Sequence, residues 1–199
     1  MENVISSVRP LLLKALELFQ KQGIPPTVSI DFGIKGGEET HLLLSLGYHV
    51  TAIDNVEDFL NELLLQERNQ LYLSQLSTVR SNFEDLNWNT LEKVDLFVAF
   101  YSLSFIHPEV FLKVWSDIIQ SIKPGGYFVG TLHTHHSTTK QIDGFFLEDP
   151  SYEHFMSKAQ ILELFKGFEC EYFESESILY PETDYTSEKE GYSVIARKK

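Results

Sequence analysis

The 199-residue chain contains a single cysteine, Cys170. One thiol excludes an internal disulfide and a multi-thiolate metal cage. Basic residues are scarce: 16 Lys and Arg stand against 29 Asp and Glu, a net charge of −13. So acidic a surface repels phosphate backbones, and no nucleic-acid partner is expected. Long apolar runs are missing as well. Stretches such as Leu11-Leu12-Leu13 and Leu63-Leu64-Leu65 fall far short of the ~20 residues that cross a bilayer, so no membrane partner is expected either. The opening Met1-Glu2-Asn3-Val4 has neither the basic start nor the apolar core of a secretory signal. These absences point to a soluble, cytoplasmic protein. No low-complexity tract, linker or internal repeat divides the sequence, so a single domain over residues 1–199 is expected.

What is present is an alternation of two periodicities. Residues 10–21 carry Leu11, Leu12, Ala15, Leu16, Leu18 and Phe19 at helical spacing, ended by Gly23 and Pro25-Pro26. A strand over 27–32 follows, then a glycine-rich turn at 33–37 and a helix over 38–45. A second strand runs from Tyr48 to Ile53 and closes on Asp54, with a long helix expected over 56–75 and a third strand over 77–81. Val94-Asp95-Leu96-Phe97-Val98-Ala99-Phe100 is apolar almost throughout, as a strand covered on both faces should be. A helix over 108–122, the turn Lys123-Pro124-Gly125-Gly126 and a strand over 127–132 complete the alternation. After a helix over 158–165, two strand-like stretches at 169–176 and 191–197 flank an acidic connection. The expected fold is α/β: a doubly wound, mostly parallel seven-stranded sheet with a C-terminal antiparallel hairpin at its edge.

In such a sheet, ligands bind beyond the carboxyl ends of the strands. The first strand ends at Asp31-Phe32-Gly33-Ile34-Lys35-Gly36-Gly37, directly before a helix. Asp54 ends the second, 21 residues after Gly33, the interval at which an acid meets a ribose diol. The glycines do not follow G-x-G-x-x-G, and no G-x-x-x-x-G-K-[ST] phosphate loop occurs. Spacing therefore argues against a nicotinamide- or flavin-dependent oxidoreductase, although that class shares the sheet.

The segment Ile30–Gly37 resembles the first motif of the class I S-adenosylmethionine-dependent methyltransferases, hydrophobic-D/E-x-G-x-G-x-G. Ala52-Ile53-Asp54-Asn55 is similar to the acidic end of their second strand. Asn82-Phe83-Glu84-Asp85-Leu86-Asn87-Trp88 resembles the D-A-x-D-L-P-F segment after the third, and Lys123-Pro124-Gly125-Gly126 the turn before the fifth. Within the class the chain looks most like the small tellurite-resistance-type enzymes, through Phe165-Lys166-Gly167-Phe168-Glu169 and Val194-Ile195-Ala196-Arg197-Lys198.

The resemblance implies S-adenosylmethionine as cofactor, S-adenosylhomocysteine as product, and methyl transfer to a small-molecule substrate. Asp31, Gly33, Ile34, Lys35 and Gly37 would shape the turn around the methionine part. Asp54 would hold the ribose hydroxyls, and Asn55, Asn82 and the Phe83 backbone would meet the adenine. Tyr101 would close the site near the methyl group. The segment 100–104 lacks the [DN]-P-P-[YF] pattern of amino-methylating nucleic-acid enzymes.

One departure is Lys35, which stands where the family has its middle glycine. Its side chain either crowds the cofactor or forces a different turn, leaving weak binding and a degenerate or non-catalytic protein, or places an ammonium that neutralises Asp31 or the cofactor carboxylate. No catalytic dyad is visible; Tyr101, His107 and His133 are the candidates for a base or substrate contact. His133, His135 and His136 read as a loop at a strand end rather than a metal site. Asp54 alone also fits a helix cap. Trp88 and Trp115 read as packing residues. Oligomeric state leaves no trace in the sequence.

Overall fold

Val94–Ala99 is apolar because it lies mid-sheet. In the computed structural model, which describes residues 8–134, 156–178 and 189–199, this strand stands fourth in a seven-stranded sheet. The strands are β1 (Val28–Phe32), β2 (His49–Asp54), β3 (Leu76–Arg80), β4 (Val94–Ala99), β5 (Ile122–His133), β6 (Phe168–Ile178) and β7 (Lys189–Lys198), in the order β3-β2-β1-β4-β5-β7-β6. The first five are parallel. β7 runs antiparallel between β5 and β6, which makes the expected edge hairpin. The order reverses between β1 and β4, so the crevice beyond their carboxyl ends is where a ligand belongs.

Helices cover both faces. On one, α1 (Pro10–Gln22) and α2 (Glu38–Ser45) bury Leu12, Ala15, Phe19, Leu43 and Leu44 against Val50, Leu96, Val98, Val129 and Ile195. On the other, α4 (Pro108–Ser121) and α5 (Lys158–Leu164) bring Phe111, Trp115, Ile118 and Ile161 onto Phe32, Phe97, Phe128 and Ala196. Trp115 is buried, and its indole N–H donates to the Leu164 carbonyl at 3.2 Å; Trp88 packs on Phe32 and Phe97. Among the described residues no helix is long and apolar enough to cross a membrane.

The structure departs from the expected elements at one informative place. The long helix over 56–75 is instead α3 (Glu57–Leu65), a break at Gln66 (ψ 123), and a 3₁₀ stretch, Glu67–Gln75. Side-chain amides end the helix. Asn69, fully buried, donates to the Leu63 carbonyl at 2.8 Å, and Gln70 donates to that of Leu64 at 2.8 Å. These bonds satisfy carbonyls that a continuing helix would have used. The Asn69 oxygen lies 2.7 Å from His41 Nδ1, fixing the break against α2. Elsewhere the boundaries agree, except that β5 begins at Ile122, taking in the Lys123–Gly126 turn as an irregularity in its pairing with β4.

Candidate functional site

At the carboxyl end of β1 the chain turns through three left-handed residues: Gly33 (φ 87), Lys35 (φ 45) and Gly37 (φ 76). Two of them have no room for a side chain. A Cβ on Gly33 would lie 2.6 Å from the Ser102 Cβ, and one on Gly37 would lie 2.5 Å from Leu63 Cδ1. Lys35 is exposed and keeps the left-handed backbone a glycine would take. The Gly36 carbonyl accepts from Gln66 Nε2 at 3.2 Å and Arg68 Nη2 at 3.3 Å, which ties the turn to the break after α3.

Asp54 carries a structural load. Its Oδ2 accepts the buried Ile34 N–H at 3.0 Å and its Oδ1 accepts the Val56 N–H at 2.9 Å. The carboxylate, 6% exposed, thus buckles the end of β2 to the turn after β1 and to the start of α3.

Beneath the turn lies a buried acid. Asp31 is buried and accepts a hydrogen bond from Thr40 Oγ1 at 2.5 Å. Burial above all, then the nearby Glu39 charge, and more weakly Asp54, push its carboxyl up to about 8. Among the described residues Lys35 forms no ion pair with Asp31. Glu39 is itself raised by burial, while its Oε1 accepts the Arg9 backbone N–H at 2.9 Å and lies 4.0 Å from the Arg9 guanidinium.

Beside this, Asn55, Arg80, Ser81, Asn82 and Asp85 line an open cleft of about 310 Å³ at the ends of β2 and β3. Asn55 Nδ2 donates to Asn82 Oδ1 at 3.3 Å, and Asn82 Nδ2 donates to Asp85 Oδ2 at 3.0 Å. The Phe83 ring stacks on Phe32 with centroids 3.9 Å apart and stands over Gly33. A second hollow of about 220 Å³, among Gly125, Glu169, Arg197, Lys198 and Lys199, lies at the opposite end of the strands, away from this chemistry.

Tyr101 and His133 meet at the ends of β4 and β5. Tyr101 has a left-handed backbone (φ 58), and its ring lies 5.6 Å from the buried His133 imidazole. The Arg9 guanidinium sits 5.0 Å from the Tyr101 ring centre. His107 caps a helix: its Nδ1 accepts the Glu109 N–H at 3.3 Å as the N-cap of α4. His135 and His136 lie outside the described residues, among which no cluster of His, Cys, Asp and Glu is arranged for a metal ion.

Sequence reasoning missed Arg9, Glu39, Thr40 and Ser102. Arg9 left a signal, since a cation before a helix start opposes the helix dipole and suggests another task. Ser102 left none, because its contact with Gly33 joins distant parts of the chain.

A family model described as a methyltransferase domain matches residues 30–130. No curated protein sequence matches the chain. Among solved structures, TehB from Haemophilus influenzae aligns with a TM-score of 0.78 at 19% identity, over 97% of this chain and 63% of TehB. The chain therefore spans less than two thirds of TehB's length. The 1,6-didemethyltoxoflavin-N1-methyltransferase of Burkholderia thailandensis, solved with 1,6-didemethyltoxoflavin and S-adenosylhomocysteine, gives 0.66 at 19% identity, over 99% and 81%. The N-methyltransferase NodS from Bradyrhizobium japonicum WM9, in complex with S-adenosylhomocysteine, gives 0.64 at 13% identity, over 96% and 89%. At these identities the likeness is one of fold. The family match runs from within β1, through the glycine turn and Asp54, into β5, and by it the chain belongs to the methyltransferase-domain family.

Proposed function

We propose that this chain is a cytoplasmic, single-domain methyltransferase that uses S-adenosylmethionine and acts on a small molecule rather than nucleic acid. The observation that carries the reading is Asp31, a buried acid beside Glu39 and Asp54 under a glycine turn, which an ammonium group complements. The residues fit this cofactor. Asp31 would accept from its ammonium, and Arg9, loosely held by Glu39, would face its carboxylate. Asp54 keeps lone pairs for the ribose hydroxyls while holding Ile34 and Val56. Asn55, Asn82 and the Phe83 backbone would border the adenine, in the cleft that Asn55 and Asn82 line.

When bound, the cofactor supplies a methyl group on a positively charged sulfur, an electrophile that needs alignment and exclusion of water more than acid–base power. Tyr101 and His133, whose rings lie together, would border the acceptor, and His133 would take a proton if the acceptor carries one. A small-molecule acceptor is supported by the net charge of −13 and by the small-molecule substrate bound to the Burkholderia neighbour. The tellurite-resistance-type affiliation has the TehB likeness and the two C-terminal motifs in its favour. The alternative, a non-catalytic binding protein, is raised by Lys35; the exposed position of that residue and a backbone that keeps the left-handed turn at φ 45 support the catalytic reading.

Calorimetry with S-adenosylmethionine and S-adenosylhomocysteine on the wild type and on Lys35→Gly tests the proposal. Micromolar binding by both proteins is expected. Binding only by Lys35→Gly would mean that the natural chain has lost the cofactor, and binding by neither would overturn the assignment.

A further inference from the structure

Lys35 has a left-handed backbone (φ 45), which a residue with a side chain keeps only when its surroundings restrain it. The restraint comes from the break after α3. One residue beyond Lys35, the Gly36 carbonyl accepts two donors, Gln66 Nε2 at 3.2 Å and Arg68 Nη2 at 3.3 Å. From the same peptide unit, the Gly37 N–H donates to the Ile34 carbonyl at 2.8 Å. That peptide is trans, so its carbonyl and its N–H point in opposite directions. Held at both ends, its plane is fixed, and so are the left-handed residues on either side of Gly36.

The two donors are held in their turn. Gln66 Oε1 accepts from Arg68 Nε at 2.9 Å and from Asn69 Nδ2 at 3.2 Å. Asn69 is buried and anchored to Leu63 and His41, while Arg68 Nη2 also lies 3.7 Å from Glu38 Oε1 at the start of α2. The carbonyls that α3 leaves open at Leu63 and Leu64 are satisfied by Asn69 and Gln70. The bonds that Gln66 and Arg68 send to Gly36, 30 and 32 residues back along the chain, therefore serve the turn and not the end of the helix.

We propose that Gln66 and Arg68 are positioning residues for the cofactor: by gripping the Gly36 carbonyl they keep the turn at residues 33–37 in its binding shape, and they supply a restraint that glycine at position 35 would need far less. The inference rests on the proposed cofactor. Both side chains act through the Gly36 carbonyl and need not touch the ligand. Such a grip raises affinity because a site binds in proportion to the fraction of molecules already in the competent shape.

The test introduces Gln66→Met together with Arg68→Met into wild type and into Lys35→Gly, and measures S-adenosylhomocysteine binding by calorimetry. Methionine keeps the length of the side chains and removes their donors. In wild type the pair is expected to weaken binding about fivefold, the scale of losing one or two partly exposed hydrogen bonds. In Lys35→Gly, where a left-handed backbone costs little, the loss should shrink to about twofold or less. Amide hydrogen exchange on the ligand-free proteins gives the second readout. The Gly37 N–H should exchange faster when the grip is removed, while the Ile30 N–H, in the middle of β1, keeps its wild-type rate and reports an intact fold. Unchanged affinity, equal losses in the two backgrounds, or an unchanged Gly37 exchange rate would each overturn the proposal; equal losses would trace the effect to the missing Arg68 charge. If the wild type fails to bind S-adenosylhomocysteine, the cofactor reading itself fails and this inference falls with it.

Discussion

Asp54, proposed to hold the ribose, also carries architecture. From its place at the end of the second strand it is expected to be a ribose ligand, and the simple expectation is that Asp54→Ala removes binding and spares the fold. The two backbone N–H groups it accepts alter that expectation. Neither Ile34 nor Val56 has another acceptor offered by the substitution, and each stranded donor costs roughly 1–3 kcal/mol when buried. Asp54→Ala should therefore lower stability by about 2–4 kcal/mol in urea unfolding, with the slope unchanged, in addition to its effect on binding. Stability within about 0.5 kcal/mol of wild type would mean that these bonds are replaced by water. Asn82 was equally visible as a position, but its tie to Asp85 was not, because a side-chain bond is written in no single residue type.

At the scale of elements, β1, the glycine turn and α2 form one electrostatic unit. In the unfolded chain Asp31 ionises at its ordinary value of 3.8, whereas in the folded chain its carboxyl is raised to about 8. Between those two values the folded state holds a proton that the unfolded state has released. Its contribution is thus fully present below about pH 4, falls as pH rises, and is lost once pH passes about 8. Glu39, also raised by burial, acts in the same direction. Asp31→Asn keeps an acceptor for Thr40 and removes the titration. The margin by which this variant exceeds wild type in stability should widen from pH 5 to pH 8, by at most about 1.4 kcal/mol per pH unit. Parallel stability profiles for the two proteins would show that Asp31 is not held protonated. Element order and type were legible here because period and turn residues are local signals. The break at Gln66 was not, since it depends on Asn69 reaching Leu63 and His41 across elements.

For the whole molecule, the strand-and-helix alternation sufficed to foresee the sheet and its antiparallel edge, because crossover handedness leaves few topologies. Contacts between distant loops, such as Ser102 on Gly33 or Arg9 on Tyr101, had no such rule to reveal them. Net charge is also a property of the whole, and it has a kinetic consequence. A net charge of −13 favours the approach of a cationic ligand over that of an anionic one. S-adenosylmethionine carries one more positive charge than S-adenosylhomocysteine, at the sulfur, and is otherwise nearly the same shape. Its association rate should fall several-fold as salt rises from about 0.02 to about 0.5 M, while that of S-adenosylhomocysteine changes little, since screening acts on the net charge of the ligand. Stopped-flow tryptophan fluorescence can follow both, with Trp88 packed on Phe32 beside Phe83 as the reporter. Equal salt dependence for the two ligands would mean that the field at the site mouth is neutral, with Arg9 and Lys35 offsetting the acids locally. A steeper fall for the sulfonium ligand would instead place the whole acidic surface, and not just Asp31, in the service of cofactor capture.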